Sequence, residues 1–147
     1  AHELPWGLLG DARHAGVQHL VRDLNHLYCT QPALHRLDCM AEGFEWLVVD
    51  DADNSVFAWA RHDGQGGSVL VVCHFTPVVR HGYRIGLPDH LKGQWREVLN
   101  TDAQEYGGSG VGNAGATLSS EGDGSHGHHH SLRLTVPPLA TVILQRV

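Results

Sequence analysis

Apolar residues recur at helical spacing once in this chain. Between Gly16 and Tyr28, residues Val17, Leu20, Val21, Leu24, Leu27 and Tyr28 fall on one face, with Arg22, Asp23 and Asn25 opposite. The spacing predicts an amphipathic helix limited by Pro32, with a further short helical turn over Pro32–Leu37. From Gly43 the period changes to that of strands. Phe44–Val49 and Ser55–Arg61 flank the turn-forming run Asp50, Asp51, Ala52, Asp53 and Asn54, which predicts a hairpin. Ser68–Phe75 is almost continuously apolar, as a central strand covered on both faces would be, and it stops at Pro77. Further strands are expected at Tyr83–Ile85, Trp95–Leu99, Ser131–Val136 and Leu139–Leu144. Gly107–Gly127, dense in Gly, Ser, Asn and Asp, predicts a long surface loop with at most one short strand near Ala116–Leu118.

About seven short strands with turn signals between them, and no helix after Leu37 to carry parallel crossovers, indicate a mainly β fold. The expected architecture is an antiparallel β-sandwich preceded by one amphipathic α-helix. A chain of 147 residues, 41% hydrophobic and 18% charged, is long enough to bury a real core. The formal net charge of -6, from 10 Lys and Arg against 16 Asp and Glu, lacks the cationic footprint that nucleic acid or an anionic membrane requires. The 13 histidines make the true charge depend on pH. Cys29, Cys39 and Cys73 have no CxxC spacing and read as reduced thiols. The start AHELPWGLLG has no basic segment followed by an apolar one, and no apolar run approaches the ~18 residues of a membrane span. A cytoplasmic location without membrane insertion is expected.

Several constellations invite chemistry. In Ser125–Ser131, His126, His128, His129 and His130 are imidazoles suited to transition metals, but a specific site needs ligands converging from separate elements. On an extended segment His128 and His130 share a face and His129 points away, so an exposed polar loop is the preferred reading. The run Asp50, Asp51, Asp53 lacks the glycine and distal glutamate of a calcium loop. The glycines from Gly107 to Gly115 are not followed by Lys-Ser or Lys-Thr, nor by an expected helix, so nucleotide binding is disfavoured. There is no GxSxG elbow, and Cys73 and His74 point to opposite faces of their strand. Trp59 and Trp95 read as core residues. Phe44, Trp46 and Val48 are expected on one face of their strand and Glu45, Leu47 and Val49 on the other. Core packing is the first reading for Trp46 as well. It is also the one carbohydrate-binding candidate, as a ring on which a sugar stacks.

The blocks AGVQ (Ala15–Gln18) leading into LVRDLNHLY (Leu20–Tyr28), then GFEWLVVDD (Gly43–Asp51), FTPV (Phe75–Val78), QWREVLNTD (Gln94–Asp102), YGGSGVGN (Tyr106–Asn113) and PPLATVIL (Pro137–Leu144) run through nearly the whole chain. Together, and in this order, they closely resemble the carboxy-terminal part of bacterial glycogen branching enzymes of the α-amylase superfamily. The resemblance implies an enzyme that cuts an α-1,4 glucan and transfers the piece to a 6-hydroxyl, using a (β/α)8 barrel followed by an all-β domain. Residues 1–38 would then be the tail of the catalytic barrel with its last helix, and residues 39–147 the C-terminal β-sandwich. The family's catalytic carboxylates would fall upstream of Ala1, so no catalytic residue, metal or cofactor is assigned here and the chain alone is expected to be inactive. The implied partners are the upstream barrel and, as a ligand, α-glucan or glycogen. The extra histidines in Ser125–Ser131 depart from the family's Ser-His-Gly run. The competing reading is a stand-alone carbohydrate-binding or purely structural sandwich. Two or more exposed aromatic rings would favour binding, and burial of every tryptophan a structural role.

Overall fold

The computed structural model describes residues 3–147. Helix α1 spans Ala12–Thr30, starting earlier than the apolar periodicity because the Asp11 side chain caps it, accepting the Arg13 backbone N–H at 2.8 Å. Pro32 cannot continue the helix and opens a 3-10 turn, Pro32–Leu34. Eight strands follow: β1 (Phe44–Asp51), β2 (Val56–His62), β3 (Ser68–His74), β4 (Arg80–Leu87), β5 (Gln94–Asn100), β6 (Thr117–Glu121), β7 (His130–Val136) and β8 (Thr141–Arg146). Each strand expected from the sequence is present with shifted ends.

All strand pairs are antiparallel and run in the order β1-β2-β3-β8-β5-β6-β7-β4. The sheet turns at β6, whose Thr117–Ser119 pairs with β5 and whose Ser120 and Glu121 pair with β7. This lays β7 and β4 over the other layer. The inner core combines Leu70 and Val72 of β3, Val142 and Leu144 of β8, Ile85 and Leu87 of β4, and Leu132 and Leu134 of β7, around the fully buried Trp95. Edge strands β1 and β4 meet through a side-chain hydrogen bond from the Tyr83 hydroxyl to Asp51 Oδ2, at 2.5 Å. Burial opposes the Asp51 charge, but the Tyr83 and Asn54 hydrogen bonds outweigh it and hold the carboxyl below its usual range. The Tyr83 phenol is pushed up, first by burial and then by that carboxylate.

Strand β3 is buried on both faces, as its sequence predicts. Its outward side chains Val69 and Val71, with Ile143 and Leu99, form a second core against Ala33 and, from α1, Leu20 and Leu27. Gly16 sits where a Cβ would come within 2.8 Å of the Tyr106 backbone, and the Tyr106 hydroxyl donates to Asp23 at 2.9 Å. The helix is thus latched to the outer face of the sheet. Its remaining apolar residues, Val17, Val21, Leu24 and Tyr28, stay exposed.

Two expectations are corrected. Val48 is not on the face of Phe44 and Trp46: a bulge between Trp46 and Val48 puts Leu47 and Val48 both inward. Trp46 is not a core residue, being 51% exposed, and Trp59 does not join the inner core but packs half-buried against the second one, because both stand on the outer face opposite the inward Ala58 and Ala60.

The long segment after β5 is tied down. Asp102 accepts the N–H groups of Ser109 and Val111, while Glu97 accepts those of Asn113 and Gly115. These are the amides an anion would need, so the glycine-rich stretch is closed by its own carboxylates. Gly86 in β4 packs against the histidine-rich turn, and a Cβ there would lie 2.1 Å from the Ser125 carbonyl oxygen. Because that contact is backbone and cannot rotate away, Gly86→Ala is expected to cost about 1–3 kcal/mol, read as a lower denaturant midpoint. An unchanged midpoint would mean that the turn gives way freely.

Candidate functional site

The outer face of the β1–β2 hairpin carries an uncovered aromatic strip. Phe44, Trp46, Phe57 and Phe75 are exposed, and Trp59 is half-buried where the strip meets the second core. Neighbouring ring centroids are 5.0 Å (Phe44–Trp46), 5.9 Å (Trp46–Trp59), 6.5 Å (Trp46–Phe57) and 5.9 Å (Phe57–Phe75) apart. The cause is local: Trp46 and Trp59 are register partners across the hairpin, and the bulge at Leu47 keeps Trp46 outward. Trp46, the sequence candidate, lies at the middle of the strip. Phe44, Phe57 and Phe75 were missed, although the repeated pattern Phe44-Glu45-Trp46 and Phe57-Ala58-Trp59 is visible in the sequence. A contiguous set of exposed rings marks a surface that meets another apolar face.

A second apolar surface lies at the amino-terminal end. The 3-10 turn Trp6–Gly10 and helix α1 enclose an open groove of about 760 Å³, lined by Leu4, Trp6, Leu8, Leu9, Val17 and Val21. It is continuous with the uncovered flank of α1.

The histidine-rich turn does not gather its rings. His126 Nδ1 accepts the Gly86 N–H at 3.2 Å, and its Nε2 is 3.4 Å from the Tyr83 hydroxyl. His130 Nε2 turns instead to Asp89, 3.2 Å away. The Cys73 thiol, hydrogen-bonded to the Thr141 hydroxyl at 3.2 Å, is pushed up by burial and so is a poor nucleophile. His74 is buried beneath it on the other face, with Nδ1 at 2.8 Å from the Pro137 carbonyl and Nε2 at 2.6 Å from the Thr76 hydroxyl. Among the described residues, no helix is long and apolar enough to cross a membrane.

Comparison with known proteins agrees with this architecture. Residues 46–147 match the family model described as alpha amylase, C-terminal all-beta domain. The chain is 57% identical over 140 residues to the 1,4-alpha-glucan branching enzyme GlgB of Paraburkholderia xenovorans (strain LB400), covering 95% of this chain and 19% of that protein. It is 56% identical over 142 residues to the 1,4-alpha-glucan branching enzyme GlgB 1 of Xanthomonas euvesicatoria pv. vesicatoria (strain 85-10), covering 96% of this chain and 19% of that one. With the 1,4-alpha-glucan branching enzyme GlgB of Pseudomonas putida (strain KT2440) it shares 54% identity over 143 residues, again 19% of the relative. The chain therefore spans about a fifth of the length of these relatives and is homologous to their C-terminal part. It belongs to the alpha-amylase C-terminal all-beta domain family.

Proposed function

We propose that this chain is the accessory carboxy-terminal part of a 1,4-α-glucan branching enzyme, and that its aromatic strip holds α-glucan for a catalytic barrel lying upstream of Ala1. The observation carrying the parent assignment is the match of 95% of the chain to enzymes of that name. In this reading residues 1–38 are the barrel's tail, α1 is its last helix, and residues 39–147 belong to the C-terminal domain. The exposed flank of α1 and the groove beside Trp6 then dock on the barrel, an apolar surface meeting an apolar one. The location is cytoplasmic, in keeping with three free cysteines.

Retaining transfer requires a nucleophilic carboxylate and a general acid about 5–5.5 Å apart. The most enclosed carboxylates here serve the fold: Glu97 is 9% exposed and closes the glycine-rich loop, and Asp51 joins the edge strands. The glucan assignment rests on the strip around Trp46, since the apolar faces of glucose rings stack on exposed aromatic faces while their hydroxyls remain in water. The purified chain is expected to leave the iodine absorbance of amylose unchanged in a branching assay. Any progressive loss of absorbance would place the catalytic carboxylates within these residues and overturn the division of labour.

A further inference from the structure

One cluster of potential ligands lies outside the histidine-rich turn, beside the Phe44 end of the aromatic strip. Glu45 of β1, His62 at the end of β2, and His90 in the 3-10 turn Asp89–Leu91 converge at the open edge of the sandwich. Glu45 Oε2 is 3.2 Å from His62 Nε2 and 2.9 Å from His90 Nε2. One ligand atom from each of the three residues lies within 4.8 Å of the others. They line a shallow pocket of about 420 Å³ with Glu42 and Phe44.

We propose that Glu45, His62 and His90 form a binding site for a divalent transition metal, zinc in the first instance. Ligand atoms around tetrahedral zinc, with bonds of about 2.0–2.1 Å, stand about 3.3 Å apart, so the two observed separations need to open by only a few tenths of an ångström. The ligand set, two imidazoles and one carboxylate, suits zinc and leaves a position for water. The ring of His62 is also oriented from behind: its Nδ1 lies 3.0 Å from the Ser68 hydroxyl, which leaves Nε2 turned toward the metal position. Three separate elements supply the ligands, which the histidine-rich turn does not do. A metal here would clip the β1–β2 hairpin to the turn after β4.

The test is a zinc titration of the 147-residue chain followed by imidazole nitrogen NMR, with affinities from competition against a chromophoric chelator. The first equivalent is expected to shift the His62 and His90 resonances together, before those of His126–His130. His90→Gln, on an exposed turn where folding is not at stake, is expected to weaken binding about tenfold or more, and Ser68→Ala by roughly tenfold. The proposal is overturned if the first equivalent moves the His126–His130 resonances instead. It is likewise overturned if His62→Gln and His90→Gln both bind zinc as the unaltered chain does, or if that chain does not bind it.

Discussion

Trp95→Ala is expected to remove about 3–5 kcal/mol of folding stability, the largest effect of any single substitution considered for this chain. Trp95 is 0% exposed and stands where β5, paired with β8 on one side and β6 on the other, faces the β4–β7 layer. Its indole N–H donates to the Leu91 carbonyl at 3.1 Å, so truncation also leaves a buried carbonyl without its donor. The surrounding Leu91, Leu118 and Leu132 are held by different strands and turns and cannot all collapse into the space. Far-ultraviolet circular dichroism should show a thermal midpoint lower by roughly 10 °C or more. Trp59→Ala, at the rim of the second core, should lower it by less than half as much. Equal shifts for the two would mean that the inner core is not organised around Trp95.

The contrast between those two tryptophans also explains what the sequence makes legible. Alternation and turn residues locate seven of the eight strands, because a half-buried strand needs a period of two whatever its neighbours are. They do not reveal which face is covered. Phe57 and Trp59 alternate with Ala58 and Ala60, and it is the small residues that face the inner core. The bulge at Leu47 was invisible for a related reason: an extra residue leaves the hydrophobic composition of β1 unchanged while reversing the side on which Val48 lies. Strand β6 reads as loop because its side chains are mostly polar, and its stability comes from backbone pairing on both sides. Histidines crowded in sequence at 126–130 drew attention to metal chemistry, whereas Glu45, His62 and His90 meet only after the sandwich closes. No spacing rule links positions so far apart.

Trp46→Ala carries the second large expected effect, on glucan affinity. The ring touches Phe44, Phe57 and Trp59 within the strip, so its removal divides the platform in two. A central aromatic anchor of an interface is typically worth well over 1 kcal/mol, which corresponds to about tenfold or more in affinity. The same ring is half exposed, so its truncation should leave the denaturation midpoint nearly unchanged, separating a binding defect from a folding defect. Phe57→Ala should give a smaller loss of the same kind. The most direct measurement is affinity electrophoresis of the chain through native gels containing glycogen. The wild-type chain is expected to be retarded in proportion to glycogen, and Trp46→Ala to migrate almost as it does without it. Equal retardation of the two proteins, or no retardation of the wild-type chain, would contradict the glucan assignment.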